Sequence, residues 1–362
     1  MAFNKYRVNK EIILQIAEHC DLGTLSAMMR TCKDIHRLVT NFEHSISKAK
    51  VAASYQPPLD LVLSSEDEQR CTILERNTFA TVKELERRKC RIDSLLNRCG
   101  FLLTSEPKVL GMTTECLDRF KAGLGDAIYL ADALADLATQ YPMRTYTKQD
   151  PIPAGSAIDL LTTDAHITAF DSLTEHRRIQ TALRRSQVAH IRSQPSRNLA
   201  WLVTLAAGGS KGFARYSTRL LESDPAIAYA RIMAFKEVLL RHGASMVLWG
   251  FVRESKSLGT FVQQAIGQCA EEVMFFEQNA HPLADKEDEA EDEEMPGGLH
   301  MSIMEELNHR MVEEKRSKAA EKGESFDGEV HTMEVWQAID TLVGKEIGCE
   351  TWRGYAAVRY PA

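Results

Sequence analysis

Between Ile12 and Phe42, apolar residues recur every three to four positions in three successive runs, with almost no polar spacer between the runs. At 100° per residue, Ile12, Ile13, Ile16, Ala17 and Cys20 cover an arc of about 140°, the width of an ordinary buried helical stripe. Leu22, Leu25, Met28, Met29 and Cys32 fall at offsets 0, 3, 6, 7 and 10, and Cys32, Ile35, Leu38, Val39 and Phe42 repeat those offsets. Three short amphipathic helices are therefore predicted over Val8 to Phe42. Polar residues punctuate them. Asn9 is placed to cap the first helix with Glu11 in its first turn, Asp21 and Gly23 mark the first corner, and Thr31 with Asp34 has capping-box spacing for the third. A unit of about 35 to 40 residues buries too little apolar surface to be stable alone, so something else must cover it.

Helical spacing continues through the rest of the chain. Ala52 to Ser65, with Tyr55-Gln56-Pro57-Pro58 and the apolar LDLVL, is a connector able to dock. From Glu66 to Cys99 a long helix is predicted, with Val82, Leu85, Ile92, Leu95 and Leu96 on its inner side. Further helices are expected at Thr113 to Lys121, Leu124 to Tyr141, Ile158 to Leu161 leading into Ala165 to Ala189, Asn198 to Ala207 and Pro225 to His242, with two or three more from Ala244 to Phe276. Leu299 to Lys322 and Thr332 to Val343 add two, with Met301, Met304, Leu307 and Met311 on one inner stripe and Val335, Trp336, Ile339 and Leu342 on the other. A methionine-rich stripe also suits an adaptable partner groove, but core packing is the commoner use. Strand signals are weak and no repeat of 20 to 50 residues is present. The expected class is all-α, with an N-terminal three-helix unit followed by an irregular multi-helix domain. The expected divisions are 1–50, a connector at 51–65, a helical body at 66–280, a loop at 281–299, and C-terminal helices at 300–362 that pack back on the body.

Composition bounds this picture without changing it: 44% hydrophobic and 26% charged residues in 362 are ordinary for a soluble globular chain. No apolar run reaches the roughly 18 to 20 residues needed to cross a bilayer, and MAFNKYRVNK lacks the apolar region of a signal peptide. A cytoplasmic or nuclear protein with no membrane partner is expected. The eight cysteines show no C-x-x-C pairing and mostly lie in apolar stripes, so they are expected to be reduced core residues and not zinc ligands.

Charge is uneven. The net −7 equals the charge of Asp285 to Glu294 alone, eight acidic residues and one lysine, which predicts a solvated, disordered linker; an acidic docking tail is the alternative. Arg177, Arg178, Arg184, Arg185, Arg192 and Arg197 form a basic strip. It has no interleaved aromatics for base stacking, so a solvated face meeting the acidic loop is expected and nucleic acid is not.

Catalytic patterns fare poorly. Asp126, Asp132 and Asp136 share one helix, and the last two share a face, the geometry a helical Mg²⁺ enzyme uses, but a plain solvated face with Asp at every turn reads the same way. The AAGGSKGFARY cluster lacks the Gly-Lys-Ser/Thr end of a phosphate loop and is expected to be a break between helices. No H-E-x-x-H or G-x-S-x-G occurs. No catalytic residue, cofactor or metal is expected.

The N-terminal stretch resembles the F-box, the module by which substrate receptors bind the Skp adaptor of cullin-RING ubiquitin ligases. About 40 of the 362 residues carry the resemblance: Glu11, Ile12, Ile16, Asp21, Leu22, Leu25, Met28, Cys32 and Leu38 fit the pattern, while Val8-Asn9 stands where Leu-Pro is usual and Ile35 where Trp is usual. It implies adaptor contacts from Val8, Glu11, Ile12, Ile13, Ile16, Leu22, Leu25, Met28, Met29, Cys32, Ile35 and Leu38, a cullin reached through the adaptor, and a protein substrate held by the body. AIYLADALADLA and AFKEVLLRHGASMVLWG are similar to the helical C-terminal regions of filamentous-fungal F-box proteins. The alternative is a helical interaction scaffold outside any ligase, with its N-terminal helices buried in its own body.

Overall fold

A computed structural model describes residues 9–54, 64–67, 70–98, 102–103, 111–140, 181–216, 225–252, 262–267, 269–270, 298–326, 328–349, 352 and 354. Val8, residues 55–63, Ile158 to Leu161, residues 165–180 and the acidic run Asp285 to Glu294 lie outside the described residues. The fold is all-α in class, and the chain divides into two compact units, Met1–Asn97 and Arg98–Ala362.

The first unit holds α1 (Lys10–His19), α2 (Leu22–Thr31), α3 (Lys33–Asn41), α4 (Glu43–Ser54) and α5 (Phe79–Asn97). Ala17, Leu25, Val39 and Ile46 are buried together, with Leu14, Cys20, Leu22, Met28, Met29, Ile35 and Phe79 packed around them, and α5 buries Val82, Leu85, Ile92 and Leu95. The N-terminal unit is thus larger than the expected three helices. Helix α4 follows the three expected helices and runs into the residues predicted as connector, to Ser54, and its signal is faint because its buried positions Ile46, Ser47 and Lys50 include a hydroxyl and an amine. Helix α5 belongs to this unit and not to the body, packing against α4.

A helix from Glu66 does not form. Ser64–Asp67 (β1) pairs antiparallel with Arg70–Ile73 (β2), Ser64 opposite Ile73. Asn77 then takes a left-handed φ of 56°, and the Thr78 hydroxyl accepts from the Thr81 N–H at 3.3 Å, so the helix can begin only at Phe79. The Glu43 carboxylate also accepts from the Phe79 N–H, at 2.7 Å.

The second unit comprises α6 (Thr114–Asp136), followed by a 3-10 turn (Leu137–Gln140), α7 (181–193), α8 (Ser196–Tyr216), α9 (Pro225–His242), α10 (Ala244–Val252), α11 (262–267), α12 (Leu299–Glu321) and α13 (Thr332–Ile347). Two predicted helices, Thr113 to Lys121 and Leu124 to Tyr141, are the single α6. Helices α6, α8 and α9 pack mutually, and α12 and α13 pack against α8. The glycine cluster is no break: α8 runs through it, and residues 199–210 are buried without interruption. The reason is close helix approach. A Cβ at Gly209 would sit 2.7 Å from Leu239 Cδ1 on α9, and one at Gly123 would overlap the Trp201 indole. Phe120 packs between Trp201 and Trp352, with ring centroids 5.6 and 5.2 Å away.

Candidate docking surface of the N-terminal unit

The sequence stripe of α1 splits in two. Asn9 caps the helix as expected, its Oδ1 accepting from the Glu11 N–H at 3.1 Å. Ala17 is fully buried, and Leu14 and Cys20 pack beside it. Ile12 and Ile16 lie on the other side, 50% and 47% exposed, with Ile13 half-buried between the two faces and Glu11 exposed. The core therefore takes the face of Leu14, Ala17 and Cys20, and the isoleucines, one turn apart, are left outward.

Asp21 closes the first corner. Its Oδ1 accepts from the Thr24 N–H at 2.8 Å and its Oδ2 from the Thr24 hydroxyl at 2.7 Å, and the Thr24 backbone hydrogen bond lowers its carboxyl. Leu25 is buried in the unit's core, so it is not a surface anchor. Leu22, Met28, Met29 and Ile35 are half-buried against that core, and Leu38 is half-buried. These side chains shape the module from within, while Ile12 and Ile16 form its apolar outer face.

The third helix is capped by a different residue from the one expected. Cys32 is its N-cap, exposed, with Sγ accepting from the Ile35 N–H at 3.4 Å, while the Thr31 hydroxyl donates back to the Met28 carbonyl at 2.7 Å. Cys90 is also exposed, whereas Cys116, Cys269 and Cys349 are buried and Cys20 half-buried, all as free thiols. Phe42, at the end of the third stripe, is 43% exposed instead of internal.

Two residues with no signal in the local pattern complete the site. The buried Lys50 ammonium on α4 donates to the Glu18 carbonyl at 3.4 Å and to the Cys20 carbonyl, at the C-terminal end of α1. The half-buried Glu86 on α5 lies near that ammonium; burial raises the Glu86 carboxyl, and the Lys50 charge opposes that shift.

The other candidates in the sequence become structural. Asp132 and Asp136 are buried, not solvated, and Asp132 Oδ1 accepts from the Ser245 N–H at 3.0 Å at the start of α10. Asp126 is exposed, its carboxyl raised by partial burial beside Arg197 and Glu346. No group of three or more His, Cys, Asp or Glu able to hold a metal exists among the described residues. Of the basic strip, Arg192 lies 3.9 Å from Glu306 and Arg197 Nε binds Glu346 at 2.8 Å, so these arginines meet the C-terminal helices. Met301 is exposed while Met304 and Leu307 are buried, and Leu342 is exposed while Val335 and Ile339 are buried. No described helix is long and apolar enough to cross a membrane. Comparison with family models, curated proteins and solved structures finds no match to this chain.

Proposed function

We propose that this protein is the substrate-recognition subunit of a cullin-RING ubiquitin ligase, working in the cytoplasm or nucleus. The N-terminal unit docks on the Skp adaptor and through it joins a cullin, and the helical body holds a protein substrate for ubiquitin transfer. The role is placement, with the chemistry supplied by the ligase. One observation carries the reading: α1 fills its own core with Leu14, Ala17 and Cys20 and still presents Ile12 and Ile16 outward, within the stretch that resembles the F-box. Burying an isoleucine is worth roughly 1.5 to 3 kcal/mol, and with about half of each already covered the pair supplies part of a docking interface, not all of it.

Gel filtration of the full chain with purified Skp adaptor tests the proposal, and a one-to-one complex is expected. Ile12→Asp places a charge in that interface and is expected to cost at least a hundredfold in affinity, about 2.7 kcal/mol. As a surface substitution, it should leave stability within about 0.5 kcal/mol. A well-folded chain that ignores the adaptor would overturn the reading in favour of a helical interaction scaffold outside any ligase, to which the burial of Leu25 in the unit's own core already lends weight.

A further inference from the structure

We propose that Lys50 is a positioning residue for the α1 docking face, clamping the C-terminal end of α1 from α4, so that the docking-competent module includes α4 and is not the three N-terminal helices alone. The inference rests on the adaptor-docking reading above and extends it to a residue outside the F-box-like stretch.

The corner is short: α1 ends at His19 and α2 begins at Leu22. The last carbonyls of a helix and the first N–H groups of the next lack partners within their own helices. The carbonyls of Glu18 and Cys20 receive the buried Lys50 ammonium, a cation at the helix end that favours one. Asp21 adds the local cap on Thr24. Lys50 lies 30 residues beyond Cys20, and the half-buried Glu86 on α5 interacts with it electrostatically.

The clamp sits at one end of the lever that carries the isoleucines. Ile12 is eight residues before Cys20, about 12 Å along a helix at 1.5 Å per residue, so a pivot of about 10° at the corner displaces it by about 2 Å. A docking face of two half-exposed side chains does not tolerate such a shift without losing complementarity.

The test uses the full chain as Lys50→Met, Lys50→Gln and Lys50→Arg, with adaptor affinity measured well below each variant's unfolding transition. Lys50→Met is expected to weaken binding about tenfold, the weight of a charge-assisted hydrogen bond. Lys50→Arg, which keeps donors for both carbonyls, should recover most of the loss. Affinities equal to wild type in the folded variants would overturn the proposal, since a purely stabilising contact lowers the melting temperature without changing the affinity of folded protein. If Lys50→Met does not fold, Lys50→Gln carries the same comparison. Should the wild-type chain ignore the adaptor, the docking reading falls, and amide exchange over residues 18–25 decides the clamp. Faster exchange in Lys50→Met or Lys50→Gln would support it, and unchanged exchange would overturn it.

Discussion

The two compact units differ in how deeply their helices are buried. In the first, α1 to α4 bury together only Ala17, Leu25, Val39 and Ile46, and the isoleucines of α1 remain outside. In the second, α8 buries twelve consecutive residues, 199–210, and takes a glycine at position 209 so that α9 can come closer still. Exposure by itself does not mark a partner surface, because Ile227, Tyr229, Met301 and Met333 of the second unit are as open as Ile12. What distinguishes α1 is that Leu14, Ala17 and Cys20 fill its inner face while two isoleucines one turn apart stay outward. Exposed neighbours in sequence cap the starts of α1, α2 and α3, namely Asn9, Asp21 and Cys32, as Thr113 caps α6 in the second unit. The start of α12 is closed by a residue distant in sequence: buried Glu237 on α9 accepts from the N–H groups of both Leu299 and His300 at 2.7 and 2.8 Å. In the larger unit a buried charge thus fastens a C-terminal helix.

The sharpest way to break that contrast is Glu237→Ala. It removes a carboxylate from two helix N–H groups and from the side of Arg241, 3.5 Å away, and of buried Lys236. Breaking such a buried charged arrangement is expected to cost about 3 to 5 kcal/mol. Chemical denaturation should show the loss in the second unit, and a change under 1 kcal/mol would remove the fastening role. Next in size is Leu25→Ala, which empties part of the cluster it forms with Ala17, Val39 and Ile46 and should cost about 2 to 5 kcal/mol of the first unit's stability. Set beside Ile12→Asp, it separates the inside of the module from its outside: the first should lower the melting temperature, the second only adaptor affinity.

The smallest effect is a pH dependence. The fully buried His300 imidazole finds no hydrogen-bond partner among the described residues, and burial, with the Lys236 charge adding to it, pushes its pKa down from 6.5 to about 3. The unfolded chain therefore binds this proton between about pH 6.5 and 3 while the folded one does not. Its contribution is fully present above pH 6.5 and is lost on acidification at up to about 1.4 kcal/mol per pH unit. His300→Leu should flatten the slope of stability between pH 7 and 5 relative to wild type, and an identical slope would show that the histidine does not report the seating of α12.

Much of the helical layout is legible in the chain because it depends on local repeats. Pro225–His242 forms over the residues its spacing predicts, and Leu299–Glu321 ends one residue short of expectation. Asn9 and Asp21 act within three residues of the amides they bind, so their roles follow from neighbours in sequence. The candidate site was legible only in outline. Periodicity groups Ile12, Ile16 and Ala17 on one arc, since it counts hydrophobicity and not which part of the arc a neighbouring helix will cover.

Local pattern thus suffices for the all-α class, the succession of short N-terminal helices, the Asn9 cap and the Asp21 corner, because backbone hydrogen bonds and local side chains act over three or four residues. Tertiary packing alone decides that Leu25 turns inward and Ile12 outward, that Cys32 and not Thr31 caps α3, that Gly209 lies within a helix, and that Lys50 meets the end of a helix 30 residues away. Those outcomes depend on which surfaces exclude water together. That depends on close packing between segments distant in the chain, which no local pattern encodes.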